Sequence, residues 1–375
     1  MKIGVLGGGQ LGRMMALAGY PMGLEFGLYD PTEDSCGGQV APLYTSPFEI
    51  TDTLKKFVDE HDVFTYEFEN VPLELAEYIA QRKPLFPGKD ALFYSQHRLT
   101  EKNLFKSLDI PVTAFSKVDD RASLLAAGDI VGIPFILKTT TLGYDGKGQY
   151  RVMSQGELNE LADKLFPEEG DACQDTVYGG VSEYIAEAFV NFTRELSIVC
   201  VRDQKGDCKY YSPAENDHRD GILHLSVAPA EGLSDEHLEC LQGYAKKLLE
   251  KLNYVGVLSI EFFDTPEGLV VNEFAPRVHN SGHWSMEGSI TGQFENHIRA
   301  IAGLPLGDTD NRSVSAMYNL VGHDIDRAAL NLSDVHVHWY GKEIKPKRKV
   351  GHVNILAESY SALKNKITEV DKLVK

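Results

Sequence analysis

The sequence predicts a multidomain protein of mixed α/β and α+β class. Its first 97 residues alternate short apolar strands with helical segments, which is the pattern of a parallel sheet covered by helices. Later segments run from strand through a glycine-rich loop or a turn into another strand, which predicts antiparallel hairpins. With 375 residues, the chain is long enough for two or three domains, each with its own core.

Composition narrows the class of protein. The apolar fraction of 43% and the charged fraction of 25% are those of a soluble globular protein. A formal charge of −18 argues against nucleic acid as a general partner. We expect no membrane span, because no apolar run reaches about 18 residues, and no signal peptide, because Met1 leads directly into a strand. The five cysteines are scattered without a Cys-x-x-Cys pair, so reduced thiols in a cytoplasmic protein are expected.

A Rossmann-like domain is expected first. Its predicted strands cover 2–6, 24–29 and 63–66, and its predicted helices cover 14–18, 51–60 and 73–81. Gly7, Gly9 and Gly12 follow the first strand, and Asp30 ends the second, which is the pattern of a dinucleotide fingerprint. Backbone N–H groups of such a loop can hold a phosphorylated ligand, although a tight strand-to-helix turn needs the same glycines.

Two polar residues favour a smaller ligand at this loop. Gln10 adds an amide side chain inside the loop, and Glu67 follows the neighbouring strand. Ligands of open α/β sheets bind at the carboxyl ends of the strands, where both residues would lie. Because the chain also carries a separate nucleotide site, we expect a sugar phosphate here in preference to a dinucleotide.

The second nucleotide site is predicted where an apolar strand ends in Lys138. A glycine-rich loop, Gly143–Gln149, follows and leads into a further strand at 150–153. A flexible hairpin with a lysine can fold over phosphates and donate N–H groups to them. The loop is not a Walker motif, because Gly148 follows the lysine and no helix comes next. A surface hairpin with glycines at its turn is the alternative.

Two glutamates lie on a predicted hairpin within residues 255–274. A turn centred on Pro266 would place Glu261 near Val271, with Glu261 and Glu273 on one face as diagonal neighbours, roughly 7–8 Å apart. Two carboxylates in this arrangement can share a hard cation such as Mg²⁺. Two solvated carboxylates on an outer sheet face are the alternative.

The loop after Glu273 concentrates side chains that suit catalysis. It is bent by proline and glycine and carries Arg277, His279, Asn280 and His283. The fork of an arginine suits an anion, and a histidine can exchange a proton near neutral pH. The loop therefore places an anion site and a proton carrier next to a predicted metal ligand.

A basic cluster near the end of the chain predicts a further anion site. Lys342, Lys345, Lys347, Arg348 and Lys349 fall within eight residues of an otherwise acidic chain. A solvated, charged hairpin explains the same pattern. Charge alone leaves both interpretations open.

The order of these elements resembles the ATP-grasp superfamily of carboxylate–amine ligases. Residues 143–149, 275–284 and 348–352 closely resemble the 5-(carboxyamino)imidazole ribonucleotide synthetase family of purine biosynthesis, and the resemblance covers essentially the whole chain. It implies a Rossmann-like (pre-ATP-grasp) domain at 1–97, an ATP-grasp domain at 98–305 with a flap subdomain at about 110–186, and a small, mostly-β C-terminal domain at 306–375.

The resemblance assigns site residues by position. The implied ATP contacts are Arg98, Lys138, Gly143, Tyr144, Asp145, Gly146, Lys147, Gly148, Gln149, Glu187, Ala188, Phe189, Val190, Glu195, His218, Asn272 and Glu273. The implied ribonucleotide contacts are Gln10, Leu11, Glu67, Asn280, Lys342, Arg348 and Lys349. The implied catalytic residues are Tyr144, Asp145, Arg277 and His279. The implied ligands of Mg²⁺, with Mn²⁺ as the alternative ion, are Glu261 and Glu273.

The resemblance implies an ATP-dependent carbon–nitrogen ligase that acts as a homodimer. ATP would phosphorylate bicarbonate to carboxyphosphate, and this intermediate, or CO₂ released from it, would carboxylate the exocyclic amine of 5-aminoimidazole ribonucleotide. Three alternatives remain. The first is another ATP-grasp ligase, such as a glycinamide ribonucleotide synthetase or a formate-dependent transformylase. The second is an NAD-dependent oxidoreductase built on the first glycine loop, and the third is a non-catalytic nucleotide-binding module.

Overall fold

The N-terminal part of the chain folds as a parallel sheet with helices between its strands. The computed structural model describes residues 1–141, 148–167 and 183–375. In chain order the first elements are β1 (Lys2–Leu6), α1 (Gln10–Gly19), β2 (Glu25–Asp30), β3 (Leu43–Thr45), α2 (Asp52–Glu60), β4 (Val63–Tyr66), α3 (Leu73–Ala80) and α4 (Lys89–Ser95). The sheet has the order β3-β2-β1-β4 and its pairings are parallel. The α/β prediction for this part is confirmed.

The turn from β1 into α1 requires glycine. Gly7 has a φ of +114°, and a Cβ at this position would lie 2.2 Å from Cγ of Glu67. Helix α1 begins at Gln10 and not at residue 14 as predicted. The reason is that the carboxylate of Glu67 accepts hydrogen bonds from the N–H groups of Gly9 and Gly12, which otherwise lack partners in the first turn.

A second, antiparallel sheet follows the first region. The elements of this part of the chain are α5 (Arg98–Ser107), β5 (Phe115–Val118), α6 (Arg121–Val131), β6 (Phe135–Thr139), β7 (Gln149–Val152), α7 (Gln155–Leu165) and β8 (Tyr184–Ala188). The strand order is β5-β8-β6-β7. Helix α6 begins with a capping box between Asp120 and Ser123. Helices α6 and α7 cover one side of the sheet, where Phe135, Leu137 and Leu158 are buried.

The largest sheet extends through the rest of the chain. Its elements are β9 (Arg194–Arg202), β10 (Cys208–Tyr210), β11 (Ala214–Arg219), β12 (Ile222–Ala228), α8 (Asp235–Lys251), β13 (Gly256–Thr265), β14 (Gly268–Ala275), α9 (Ser285–Gly288), α10 (Gln293–Ile301), β15 (Val314–Val321), β16 (Val335–Trp339), β17 (Lys349–Ala357) and α11 (Tyr360–Asp371). The order is β14-β13-β9-β11-β12-β15-β17-β16, with β10 on β9. Because β12 pairs with β15, the sheet runs across the boundary expected at residue 305. Strand β14 lies at one edge of this sheet.

A buried histidine connects the first region to the large sheet. His297 has no exposed surface, and burial lowers its pKa to about 3, so the ring is neutral. The N–H of Val257 donates to Nδ1 at 3.1 Å, which leaves the proton on Nε2. Nε2 therefore donates to Oγ1 of Thr65 at 2.8 Å. This path fixes β4 relative to β13.

Two further findings concern the helices and the cysteines. In the part of the chain that the structure describes, no helix combines the length and apolar character needed to cross a bilayer. The cysteines within the described ranges, Cys36, Cys200, Cys208 and Cys240, are free thiols. Burial raises the pKa of the Cys200 thiol above its usual value, so this thiol stays protonated.

Candidate active site

Strands β13 and β14 place Glu261 directly opposite Glu273. The ladder is regular as far as Phe262 opposite Val271 and then skips Asn272, which forms a β-bulge. The prediction that Glu261 pairs near Val271 was wrong, because the turn is centred between Pro266 and Glu267 and the bulge shifts the ladder by one further residue. Without the bulge, Glu261 would lie opposite Asn272, and Glu273 would belong to the other face of the sheet. The bulge is thus the feature that brings the two carboxylates together.

The two carboxylates differ in protonation because their neighbours differ. Burial and the negative charge of Glu273 raise the pKa of Glu261 to about 7. Burial alone would also raise the pKa of Glu273, but the charges of Arg98 and Lys138 hold it below its usual value. Nη1 of Arg98 lies 3.0 Å from Oε2 of Glu273. A carboxylate beside a weakly acidic carboxyl group is a donor set that suits a hard cation, because bound positive charge would ionise both.

Further ligands for such a cation would have to come from substrate or water. Within the described ranges, no group of three or more His, Cys, Asp or Glu side chains is arranged to hold a metal. Ala275, two residues after Glu273, offers no side-chain oxygen. Magnesium usually binds through one or two carboxylates and keeps waters and phosphate oxygens in its remaining positions. The pair therefore fits Mg²⁺ bound together with a nucleotide.

A buried array of charges adjoins the glutamate pair. Nζ of Lys138, near the end of β6, lies 3.0 Å from Oε2 of Glu187, and Nζ of Lys102 lies 3.4 Å from the same oxygen. Burial would raise the pKa of Glu187, but the two ammonium groups lower it to about 2. Burial lowers the pKa of Lys138, and the charge of Glu187 opposes that shift. The pairing offsets much of the cost of burying these charges before any ligand binds.

The other predicted ATP residues lie on β8, β9 and β11. Ala188, Phe189 and Val190 form the end of β8 and the segment that leaves it, and Phe189 is 44% exposed. Oε2 of Glu195 lies 2.5 Å from Nδ1 of His218. Burial lowers the pKa of His218, but this contact and the charges of nearby glutamates raise it overall. The Glu195–His218 pair therefore connects β9 to β11 beside the glutamate hairpin.

The predicted flap is described only at its end. Gly143, Tyr144, Asp145, Gly146 and Lys147 lie outside the described residues. The carbonyl of Gly148 accepts from the N–H of Thr139 at 3.0 Å. Gln149 pairs with Lys138 in the β6–β7 ladder. The loop thus returns to the sheet next to the buried lysine.

A cavity of about 410 Å³ connects the glutamate hairpin to the N-terminal glycine loop. The predicted site residues in its lining are Gln10, Leu11, Glu67, His218, Glu261, Glu273, Arg277, His279, Asn280 and Lys349. An adjacent cavity of about 70 Å³ extends from Glu273 and Arg277 to Arg98. Predicted metal, catalytic, ATP and ribonucleotide residues therefore border one connected space.

The glycine loop is already engaged by acidic side chains. Glu67 holds the N–H groups of Gly9 and Gly12, the latter at 2.6 Å, and Oδ2 of Asp30 accepts from Gly8 at 2.8 Å. Burial raises the pKa of Glu67, whereas these backbone donors lower it. The carboxylate predicted to meet ribose hydroxyls thus also caps the helix that follows the loop.

Arg277 lies in an ion pair that the sequence analysis did not include. Its Nε donates to Oε2 of Glu69 at 2.5 Å. Burial, followed by the charge of Arg277, lowers the pKa of His279 well below its usual value, so this ring is neutral. Nδ1 of His279 lies 2.8 Å from Oγ of Ser281. Asn280 donates from Nδ2 to Oδ1 of Asn319 at 3.1 Å.

The basic cluster divides between the cavity and the surface. Lys349 lines the cavity, and Lys342 donates to the side-chain oxygen of Gln10, which connects the C-terminal region to the glycine loop. Arg348 does not line the cavity: it is exposed, and its Nη1 donates to the carbonyl of Glu343 at 3.4 Å. Lys345 pairs with the carboxylate of Glu343 at 2.8 Å. The structure therefore brings only part of the predicted phosphate site together.

Three residues that contact predicted site residues or their chain neighbours were not among the predicted site residues, namely Glu69, Glu101 and Lys102. Glu69 stands two residues after Glu67, and Lys102 follows Arg98 by four residues, which places both cations on one helix face. Burial, and then the charge of Glu273, raises the pKa of Glu101 to about 8. The four-residue spacing of Arg98 and Lys102 can be read from the sequence. Their acceptors on β14, the carboxylate of Glu273 and the carbonyl of Asn272, cannot.

Three family models match consecutive parts of this chain. The ribonucleotide synthetase preATP-grasp domain matches residues 1–96. The ATP-grasp domain matches residues 103–294. The phosphoribosylaminoimidazole carboxylase C-terminal domain matches residues 315–366.

Individual relatives match over nearly the full length. N5-carboxyaminoimidazole ribonucleotide synthase from Pseudomonas aeruginosa is 42% identical, and the alignment covers 100% of this chain and 99% of that protein. The crystal structure of N5-carboxyaminoimidazole ribonucleotide synthetase from Thermus thermophilus is 44% identical with a TM-score of 0.91, covering 99% and 98% of the two chains. The Aspergillus clavatus synthase in complex with ADP and 5-aminoimidazole ribonucleotide is 27% identical with a TM-score of 0.87, covering 99% and 98%.

Proposed function

The chain belongs to the N5-carboxyaminoimidazole ribonucleotide synthase family of ATP-grasp proteins, and we propose that it carboxylates the exocyclic amine of 5-aminoimidazole ribonucleotide. ATP and bicarbonate would be consumed, and N5-carboxyaminoimidazole ribonucleotide, ADP and phosphate would be formed. One observation carries the proposal. The opposed carboxylates of Glu261 and Glu273 open into the same cavity as Arg277, His279 and the N-terminal glycine loop.

The buried array would hold the phosphates of ATP. Arg98 and Lys138 supply the positive charge, and Glu187 keeps Lys138 in place. Mg²⁺, or Mn²⁺ in its place, would be held by Glu261 and Glu273 and would offset charge on the phosphoryl group during transfer. The segment Glu187–Val190, with Glu195 and His218, would contact the nucleoside, and Asn272 would add a contact next to Glu273.

Bicarbonate would bind at Arg277. A bicarbonate oxygen would attack the γ-phosphorus of ATP, ADP would leave, and carboxyphosphate would form. Arg277 is already ion-paired with Glu69, so its guanidinium is oriented before the anion arrives. Water would have to be excluded at this stage, because carboxyphosphate hydrolyses readily. The segment Gly143–Gln149 would supply that cover.

The ribonucleotide would occupy the end of the cavity near the glycine loop. Gln10, Leu11 and Glu67 would contact its ribose, and Asn280 its base. Lys342, Arg348 and Lys349 would hold its phosphate through charge-assisted contacts. The amine nitrogen would then attack the carboxyl carbon of carboxyphosphate, or of CO₂ released from it, as phosphate departs.

The amine must lose a proton when the new carbon–nitrogen bond forms. Tyr144, Asp145 and His279 are the candidates. His279 is a weak base, because burial and the charge of Arg277 keep its pKa well below the usual value. We assign the proton transfer to Asp145, with Tyr144 in support, because the family resemblance places Asp145 toward the carboxylated amine. In Asp145→Asn, ADP release should continue while carboxylated product falls strongly. A loss of ATP affinity with an unchanged product-to-ADP ratio would move the role to His279.

The substrate is tested by comparing amines. ADP release would be measured with ATP and Mg²⁺ in three mixtures: bicarbonate with 5-aminoimidazole ribonucleotide, glycine with phosphoribosylamine, and formate with glycinamide ribonucleotide. We expect substrate-dependent ADP release in the first mixture alone. Release in either of the other two would identify another ATP-grasp ligase, and no ATPase in any mixture would support a non-catalytic nucleotide-binding protein.

The assembly and location of the protein are part of the proposal. We propose a cytoplasmic homodimer, on the basis of the resemblance and of the free thiols of the described cysteines. Light scattering coupled to size-exclusion chromatography should give twice the chain mass of 41.6 kDa. A mass of one chain at micromolar concentration would reject the dimer.

A further inference from the structure

Strand β14 is an edge strand, so one row of its backbone groups cannot pair within the sheet. Helix α5 satisfies two of them around the bulge. Nζ of Lys102 donates to the carbonyl of Asn272 at 2.7 Å, and Oε1 of Glu101 accepts from the N–H of Phe274 at 2.7 Å. The carbonyl and the N–H lie on either side of Glu273. The metal-binding position is therefore bracketed by contacts from one helix.

Lys102 also reaches the other sheet of the nucleotide site. Its Nζ lies 3.4 Å from Oε2 of Glu187, the oxygen that binds Lys138 at 3.0 Å. Glu187 and Lys138 belong to β8 and β6 of the four-stranded antiparallel sheet. A single ammonium group thus connects the strand that carries Glu273 to the strands that carry the phosphate-facing lysine.

We propose that Lys102 is a positioning residue, which couples the Lys138–Glu187 pair to the bulge that orients Glu273. The inference rests on the proposed function, since it assigns Lys102 to the ATP and magnesium half of that site. Lys102 itself would touch neither the metal nor the nucleotide. It would act through the backbone of Asn272 and the carboxylate of Glu187.

The bulge explains why this contact matters for the metal. If β14 paired regularly beyond Val271, Asn272 would lie opposite Glu261, and Glu273 would turn to the other face. The bulged arrangement leaves the carbonyl of Asn272 with Lys102 as its described side-chain partner. A buried carbonyl without a partner is unfavourable, so Lys102 stabilises the bulged ladder over the regular one.

Burial of the lysine argues against a role in packing alone. Lys102 is 1% exposed, and methionine would fill similar space without an ammonium group to desolvate. A buried ammonium is tolerated when it is paired and hydrogen-bonded, as it is here. The ammonium group of Lys102 contacts the carbonyls of Val271 and Asn272 on β14 and the carboxylate of Glu187 on β8. The proposed reaction needs these two strands in a fixed relative position.

The test replaces Lys102 by methionine and uses Lys106→Met as the matched control. Lys106 lies on the same helix and is exposed, and its ammonium group lies 5.2 Å from the centre of the Phe115 ring. In Lys102→Met we expect the Mg²⁺ concentration for half-maximal ADP release to rise about 10- to 100-fold, the effect typical of groups that orient metal ligands. The KM for ATP should rise with it, while the KM for 5-aminoimidazole ribonucleotide should stay within about twofold.

Two further variants separate positioning from stability. Lys102→Arg, which keeps the positive charge and the hydrogen-bond donors, should recover more of the Mg²⁺ affinity than Lys102→Gln. If Lys102→Met does not fold, Lys102→Gln retains a donor for the carbonyl but not the charge, and it should show a smaller shift in the same direction. A lower melting temperature with an unchanged Mg²⁺ requirement in the folded variant would overturn the proposal.

Calorimetric titration of Mg²⁺ and ADP distinguishes this inference from the proposed reaction. If the unaltered protein binds Mg²⁺–ADP but does not carboxylate the ribonucleotide, the proposed function fails while the role of Lys102 remains testable. If the unaltered protein performs the reaction and Lys102→Met binds Mg²⁺–ADP as tightly, the positioning role fails alone.

Discussion

The two regions proposed to bind anions are built differently. In the proposed nucleotide region, Lys102 and Lys138 are buried, the Arg98 side chain is 13% exposed, and each cation contacts a carboxylate. In the basic cluster, Lys345 and Arg348 are exposed, and the side chain of each binds Glu343. The first region holds its geometry through internal ion pairs. In the second region, the proposed phosphate would add contacts to side chains that are exposed at the surface.

This difference determines where each region should fail. Removing one charge from a buried array leaves its partner uncompensated and misplaces its neighbours. Removing one exposed charge removes its contact with the ligand but changes the stability of the protein little. Changes in the buried array should therefore affect turnover, and changes in the basic cluster should affect the apparent affinity for a single substrate.

The largest effect is expected for Glu273→Gln. Loss of one charge from a hard-cation site should lower ATP turnover by about 100- to 1,000-fold, the range found when one preorganised electrostatic contact is removed. The variant should still fold, since glutamine keeps an oxygen for Arg98, and its melting temperature would measure the cost of the lost charge separately from the loss of turnover. Glu267→Gln, in the exposed turn of the same hairpin, is the control. Near-normal turnover of Glu273→Gln at modest Mg²⁺ would remove the glutamate pair from the site.

A smaller and selective effect is expected for Arg348→Ala. The KM for 5-aminoimidazole ribonucleotide should rise about tenfold, because a charge-assisted contact to phosphate is lost, while the KM for ATP should not change. Lys345→Ala is the control from the same cluster, because Glu343 already pairs with Lys345. Equal changes in both KM values would show that the cluster does not serve the ribonucleotide alone.

The sequence was sufficient to predict the fold because apolar alternation and turn residues act locally. The strand Val63–Tyr66 and the start of a helix at Leu73 were predicted at their observed positions. The bulge at Asn272 was not predictable, since it depends on acceptors and donors supplied by α5 from far away in the chain. The Arg277–Glu69 pair was missed for the same reason.

Protonation of the glutamate pair gives a third, still smaller effect. The pKa of Glu261 is raised to about 7, above its value in an unfolded chain, so its contribution to stability is present at low pH and lost as pH rises toward 7. Without metal, the melting temperature should fall by a few degrees between pH 5 and 7.5. Mg²⁺ should reduce this fall, and Glu261→Gln should show less of it. An identical pH profile in the variant would contradict the assignment.

No measurable effect is expected from dinucleotides. The N–H groups that would meet a pyrophosphate already bind Glu67 and Asp30. NAD and NADP should therefore leave the melting temperature unchanged, whereas 5-aminoimidazole ribonucleotide should raise it. Stabilisation by micromolar NAD would show that the glycine loop serves an oxidoreductase.

The division of one cavity between an ATP–bicarbonate end and a ribonucleotide end is tested most directly with labelled bicarbonate. The protein would be incubated with ATP, Mg²⁺, ¹³C-bicarbonate and 5-aminoimidazole ribonucleotide, and ADP and the ¹³C-carbamate signal would be measured together. We expect the label to appear on the ribonucleotide amine in an amount equal to the ADP released. Without the ribonucleotide, ADP should be released more slowly. Ribonucleotide-dependent ADP release without label in the ribonucleotide would contradict the proposed reaction.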